Sequence, residues 1–290
     1  MNDALYIIKD TPSNGKGMFA TRDIKHGTCI LSENPLVLIG PDNQRNFEAV
    51  NSLPMINKMQ FLALRNVYSE KEMPVLAGII KTNALPRGPN SDEAAVYRDL
   101  SRVNHSCAPN VHHFWNRITE KESIHAVKDI AAGDEILTSY EEVLMPWAAR
   151  QVSLQKKFRF ECRCKLCTSA SNEEYDATVA RVKKLSDLIM VYVSMKNDPR
   201  KAIECVREIL ALMDKAGIWG KSTFIHDGYQ ISAMYSNYDL AKEWADLLLE
   251  SYLLDEGESG DLYKRYLGYA QNPKSHERAG WGGYIDLKGA

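Results

Sequence analysis

At 290 residues, with 44% hydrophobic and 26% charged residues, the chain is long enough for one large or two modest domains, and its composition excludes a disordered or fibrous protein. A formal net charge of −2 speaks against a protein that grips nucleic acid through a basic surface, so no direct nucleic-acid binding is expected; a basic partner would be met by a local acidic patch. No run of about 18 apolar residues suggests a membrane span. The start Met1-Asn2-Asp3-Ala4-Leu5 lacks the basic opening and apolar core of a secretory signal. A cytoplasmic or nuclear address follows, where six cysteines serve as metal ligands or buried thiols rather than as a disulfide framework.

The first forty or so positions suit small β-sheets better than helices. Tyr6-Ile7-Ile8, Cys29-Ile30-Leu31 and Leu36-Val37-Leu38-Ile39 are apolar runs. Gly15-Lys16-Gly17 reads as a tight turn, where missing Cβ atoms let backbone approach a ligand. From about 43 to 80 the period becomes helical, with Met55, Ile56, Met59, Leu62, Ala63 and Val67 recurring after Pro54, so a helical insert between strands is predicted. Leu85-Pro86-Arg87-Gly88-Pro89 reads as an irregular loop. Strand signals resume from Val111 to Tyr140, where Ala132-Gly133-Asp134 turns the chain into Glu135-Ile136-Leu137-Thr138.

A helix is predicted to begin at Pro146-Trp147 and run to about Lys157. Beyond Asn172 the pattern is helical. Val179, Val182, Leu185, Ile189 and Tyr192 form one stripe; Asp198-Pro199 caps and opens a second helix, and Gly217 stops it. Further helices are expected at Phe224 to Tyr238 and Leu240 to Leu254. Short loops suggest antiparallel pairs, without a convincing repeat of about 34 residues. The last stretch, rich in Gly and Tyr, reads as a loosely packed tail.

Cys162-Arg163-Cys164-Lys165-Leu166-Cys167 sets three thiols close together. A disulfide between cysteines two apart is strained, whereas three thiolates on a short turn suit tetrahedral zinc and ask for a fourth ligand. Cys29, Cys107, Cys205 and the seven histidines are candidates. Cys107 is favoured, because it follows a polar loop while Cys205 lies in an apolar stripe. The duller alternative is three free thiols on a surface loop. His112 and His113, adjacent in a strand, point to opposite faces and cannot chelate one metal; with His125 and His226 they read as structural.

Five ordered segments resemble the SET-domain lysine methyltransferases, most closely the SMYD-like branch of fungal type. They are Gly15-Lys16-Gly17-Met18-Phe19-Ala20, Thr82-Asn83-Ala84-Leu85, Asn104-His105-Ser106-Cys107-Ala108-Pro109-Asn110, Gly133-Asp134-Glu135-Ile136-Leu137-Thr138-Ser139-Tyr140, and Phe158-Arg159-Phe160 running into the cysteine trio. The resemblance spans residues 5 to 168. It implies an α+β fold: a β-rich SET domain of small sheets with a pseudoknot over 1–146, carrying the insert at about 43–80; a post-SET helix and zinc loop over 147–168; and an all-α C-terminal domain over 172–290.

The resemblance also implies S-adenosylmethionine as methyl donor. By match, Lys16, Gly17, Asn83, Asn104, His105 and Phe160 would bind it, His105 through its backbone and Phe160 by packing on the adenine. Tyr140 would be the catalytic tyrosine, and Phe158 would join it in the lysine channel. The family's post-SET zinc joins the Asn-His-Ser-Cys cysteine to the later trio, which gives Cys107, Cys162, Cys164 and Cys167. Departures accompany the match. Residues 43 to 80 contain no cysteine, so the MYND finger of many relatives is missing. Glu141-Glu142 stands where Ile-Asp is frequent, which would either disturb the loop or make an acidic entrance for a basic substrate; Phe158 replaces a common Tyr and removes one hydroxyl from the channel, leaving the number of methyl groups open, and Arg102 replaces a common apolar residue.

The expected function is transfer of a methyl group to the side-chain amine of a protein lysine, in a histone tail or another protein, by a protein for which a monomer is favoured. The rival reading is a catalytically silent SET protein that binds partners through its helical C-terminal region. A small-amine acceptor is a third reading.

Overall fold

Three small sheets hold the N-terminal strands of the computed structural model, which describes residues 4–11, 15–88, 91–169, 171–195, 197–258 and 260–290. The chain divides into two units, Met1–Glu141 with Gln151–Cys162, and Glu142–Arg150 with Arg163–Ala290.

In the first unit, β1 (Tyr6–Thr11) and β2 (Gly15–Ala20) pair antiparallel, and β2 continues to β10 (Glu135–Thr138), which in turn pairs with β7 (Asn104–His105). A second sheet has the order β3 (Cys29–Glu33), β9 (Lys121–Ala126), β8 (Val111–Asn116). Alternation along these strands buries Val111, Trp115, Ile124 and Ala126 with Met18, Tyr97 and Ile136. The same alternation separates the neighbouring histidines: His112 lies across from His125, and His113 across from Ile124. Burial, aided by His113 and His125 nearby, lowers the His112 pKa to about 3, so it is a neutral strand residue.

The third sheet joins β4 (Val37–Ile39), β6 (Ala94–Val96) and β5 (Leu85–Pro86). Leu85 and Pro86 thus pair with Ala95 and Ala94, inside the stretch expected as irregular loop; Pro89 lies outside the described residues. The predicted insert is helical, with α1 (Asn43–Asn51), α2 (Met55–Leu62) and α3 (Val75–Asn83). Asp42 caps α1 by accepting the N–H groups of Gln44 and Arg45. Val50, Phe61, Leu64 and Ile79 pack against Val37, Ile39 and Val96. α4 (Trp147–Phe158) and the single turn α5 (Lys165–Thr168) follow the sheets.

The remaining helices are α6 (Ser171–Ser194), α7 (Pro199–Lys215), α8 (Ser222–Met234), α9 (Tyr238–Glu256) and α10 (Asp261–Gln271). Each packs on the next in the chain. The stripe of Val179, Val182, Leu185 and Ile189 meets Ile203, Val206, Ile209 and Met213 in one core. Asp198 caps α7 ahead of Pro199. Gly217 ends it at φ 63°, with Ile218 N–H reaching Met213 O at 2.8 Å and Gly217 N–H reaching Asp214 O at 3.1 Å, the paired bonds of a glycine-terminated helix.

The expected loose tail is instead fastened to this unit. α10 buries Tyr266 and Ala270, and beyond it Leu287 is fully buried. Gly280 and Gly282 donate to the carbonyls of Ala233 and Met234 at 3.0 Å, and Asn237 bonds both Ile285 O and Leu287 N–H. Gly282 lies so close to the Tyr235 ring that a Cβ would meet it at 2.5 Å. Its glycine therefore serves close packing, not looseness.

Glu256 closes α9, at the negative end of the helix dipole, and burial pushes its pKa up to about 7; Asp255 beside it rises to about 6 for the same reason. A raised native pKa means that the folded state binds the proton more tightly. The stabilisation is full below the unfolded value of about 4.3 and is lost as pH rises through about 7, at about 1.4 kcal/mol for each tenfold gain in proton affinity on folding. Glu256→Gln should therefore melt higher than wild type at pH 8 and match it near pH 4.5. Equal melting differences at both pH values would contradict the buried-acid account.

Candidate active site

The site starts from a strand pairing between distant segments. Leu137 and Thr138 of β10 run parallel to Asn104 and His105 of β7, while Ile136 pairs with Met18 of β2. Asn110 locks the arrangement: its side chain donates to Glu135 O at 2.8 Å and accepts Leu137 N–H at 2.7 Å. Ser106 N–H reaches Thr138 O at 2.8 Å. Asn104, His105 and Tyr140 are brought together by these bonds.

They line a cavity of about 360 Å³, within the size range of small-molecule sites. Lys16, Asn83, Phe158 and Phe160 also line it. Gly17 does not; a Cβ there would meet Glu135 Oε1 at 2.4 Å and Asn104 Nδ2 at 2.9 Å, so this glycine makes room for the residues that position Asn104. Its neighbour Gly15 is in the wall.

The two asparagines are oriented by their partners. Asn104 Nδ2 donates to Glu135 Oε1 at 2.8 Å and Lys16 O at 3.3 Å, and Asn83 Nδ2 donates to Arg65 O and Ile79 O, each at 2.7 Å. All four partners only accept, so the amide nitrogens must be on that side. What each asparagine keeps for a ligand is its Oδ1, an acceptor.

Sequence reasoning misses Leu64, Arg65 and Ser101, which also form the wall, and treats Arg102 only as a departure. With Lys16, whose Nζ pairs with Asp10 at 3.2 Å, the two arginines make three basic residues in one cavity wall. Helical periodicity in the insert identifies buried positions, and it carries no information on which exposed residue borders the cavity.

The aromatic wall is a connected set. Tyr140 lies 4.7 Å from Phe158 and 5.2 Å from His105, ring centre to ring centre, and His105 lies 6.0 Å from Phe160. Phe158 is the last residue of α4, and Arg159 then takes φ 60°, a left-handed conformation that costs a non-glycine residue about 1–2 kcal/mol. Contacts of Arg159 with Glu72 at 2.8 Å and with the Tyr68 ring help hold this turn, and Tyr68 Oη donates to Lys157 O at 2.6 Å. The turn separates Phe158 from Phe160, and both still line the cavity.

The Tyr140 hydroxyl donates to Val103 O at 2.9 Å. Burial, reinforced by Glu135 and opposed by Arg65, holds its pKa well above the ordinary phenol value. It is therefore a neutral hydrogen-bonding group, not a base. Glu141 is not part of an acidic entrance. Its buried carboxylate accepts Ser153 Oγ at 2.8 Å and pairs with Lys157 at 3.0 Å, which ties the end of the strand segment to α4. Only Glu142 of the pair is exposed.

Cys107, Cys162, Cys164 and Cys167 form a group that can hold a metal ion, with all four sulfurs within 4.8 Å of one another. Cys107 and Cys162 are buried, and their sulfurs are 3.8 Å apart. Tetrahedral zinc with Zn–S bonds of about 2.3 Å requires sulfurs about 3.8 Å apart, so the donor set fits. Gln151 brackets Cys162, accepting its N–H at 2.9 Å and donating to its carbonyl at 3.0 Å. Cys29 is exposed and Cys205 belongs to the helical core.

The His105 imidazole also escapes sequence reasoning, which assigns a role only to its backbone. Nδ1 accepts the Tyr140 N–H at 3.0 Å, and Nε2 lies 3.3 Å from Cys107 Sγ. Strand alternation gives no signal for this contact, because β7 ends at His105 and Cys107 lies in the bend after it.

Residues 15–141 match the SET domain family. The chain is 29% identical to the histone-lysine N-methyltransferase set5 of Schizosaccharomyces pombe over 279 residues, covering 95% of this chain and 86% of that protein. It is 41% identical to the N-lysine methyltransferase SMYD2-B of Danio rerio over 95 residues, covering 33% of this chain and 21% of that one. For human SMYD2 the identity is 34% over 97 residues, again 21% of its length. The chain thus spans most of the first relative and about a fifth of the other two.

Proposed function

We propose that this chain, which belongs to the SET-domain family, is a protein-lysine methyltransferase using S-adenosylmethionine. The observation that carries the reading is the cavity in which Lys16, Asn83, Asn104, His105, Tyr140, Phe158 and Phe160 converge. When bound, S-adenosylmethionine supplies a methyl group on a sulfonium, open to in-line displacement by an amine.

The chain's own groups suit both partners in that displacement. The Oδ1 atoms of Asn83 and Asn104 are acceptors for the donor's ammonium, and Arg65, Arg102 and Lys16 are cations for its carboxylate. Phe160 and His105 offer ring faces to the adenine. Tyr140 and Phe158 form an apolar, aromatic channel wall for the acceptor. A lysine entering it must attack as the neutral amine, although its free pKa is about 10.4, and burial disfavours the charged form. Tyr140 keeps its proton and so orients the amine through its hydroxyl oxygen. Holding donor and amine in line contributes about 7–11 kcal/mol to barrier reduction, so no catalytic metal is required. Zinc held by Cys107, Cys162, Cys164 and Cys167 would be structural, since four thiolates leave no open position.

The acceptor we propose is a protein lysine, with histones the first class to try because the set5 relative is named for them. The test supplies methyl-labelled S-adenosylmethionine to the protein with histones and, separately, with cell extract. Label on a lysine Nε, located by mass spectrometry, is the expected result. Donor binding with no transfer to either would overturn the enzyme in favour of the silent binding module.

A further inference from the structure

We infer that the His105 side chain is a positioning residue that joins the cysteine cluster to the catalytic tyrosine. This rests on the methyltransferase reading for its effect on turnover, though not for its effect on metal binding. Nδ1 faces the backbone N–H of Tyr140 at 3.0 Å. A backbone N–H has only a proton to offer, so Nδ1 must be the bare nitrogen. In the neutral ring the proton then resides on Nε2, which lies 3.3 Å from Cys107 Sγ and donates to it.

Two consequences follow from that tautomer. First, Nε2 has no lone pair free for a metal, so His105 is a neighbour of the ligand set and not a fifth ligand. A donor aimed at the Cys107 sulfur stabilises its thiolate and orients it, as outer hydrogen bonds do for metal ligands in general. Second, the ring fixes the backbone at Tyr140, whose own hydroxyl is tied to Val103 O at 2.9 Å. Tyr140 is therefore held at its N–H by His105 and at its hydroxyl by the carbonyl two residues before His105. The ring is 8% exposed, and it also packs between Tyr140 and Phe160.

The two hydrogen bonds can be removed separately. In His105→Asn, Oδ1 replaces Nδ1 and keeps the acceptor for Tyr140 N–H, while the donor to Cys107 is lost. In His105→Gln, the amide NH2 replaces Nε2 and keeps the donor to Cys107, while the acceptor is lost. Each purified holoprotein is measured for zinc release to a colorimetric chelator and for kcat and donor Kd with labelled S-adenosylmethionine.

His105→Asn should release zinc about tenfold or more readily than wild type, with kcat at saturating donor about tenfold above that of His105→Gln. His105→Gln should keep zinc and show the lower kcat of the two, while donor Kd rises in both variants because both lose the ring face offered to the donor. Both variants failing alike in both readouts, or neither failing in either, overturns the proposal. Ring 15N shifts of wild-type His105 give a reading independent of turnover: a proton on Nε2 and a bare Nδ1 are expected, and the opposite tautomer refutes the inference even if no acceptor is ever methylated.

Discussion

Tyr140→Phe should lower methyl transfer by about a hundredfold or more while donor affinity stays within about threefold, on the scale seen when a single preorganised polar group is removed from a reaction centre. The substitution deletes one oxygen and leaves the ring. Contacts of that ring with Phe158 at 4.7 Å and His105 at 5.2 Å do not use the hydroxyl, so the wall of the cavity should persist. What disappears is the bond to Val103 O and the lone pairs that would receive an acceptor's amine. Because burial keeps this phenol protonated, its loss is not the loss of a base. Transfer should accordingly keep rising with pH in both wild type and variant as more of the lysine becomes neutral. A variant with unchanged kcat would remove Tyr140 from the chemistry, and one that no longer binds donor would make its role that of a wall residue.

How much of this can be read from the sequence differs from residue to residue. Asn104, Tyr140 and the cysteines are legible because the motifs fix chemistry and spacing together. Cys107 stands out by its polar surroundings, and it lies with the trio at a spacing that suits zinc. Arg65 is not legible: it reaches the cavity from the connection after α2, and a helical period distinguishes buried from exposed without saying what an exposed side chain borders. Glu141 is misread when charge is weighed without its partner; Lys157 is 16 residues away in sequence. The tail is misread for a related reason. Leu262, Tyr266 and Tyr269 carry a helical period, yet the glycines beside them suggest looseness to a reader of sequence, who has no sight of Gly282 packed on Tyr235.

Removing the metal should have the other large effect, because the cluster is tied to the donor cavity through very short stretches of chain. Cys107 is two residues from His105, and Cys162 is two residues from Phe160. The wild-type protein is expected to carry about one zinc equivalent and Cys164→Ser to lose most of it; in small domains a structural zinc is worth about 10–16 kcal/mol of apparent binding free energy. Serine is a poor replacement, since its hydroxyl does not ionise near neutral pH as a zinc-bound thiol does. Without the metal, the Cys107 and Cys162 thiols lose the centre that holds them together. His105 then has a neutral sulfur in place of a thiolate, and Phe160 loses its nearest anchor. Donor affinity should fall about tenfold or more in Cys164→Ser and in chelator-treated wild type, and added zinc should restore it only in the latter. The far-UV helical signal should largely survive, because the buried core of α6 to α10 contains none of the four cysteines. A metal-free protein that binds donor as tightly as the holoprotein would leave the cysteines a stabilising role at most, and it would separate them from the site that Phe160 and His105 form.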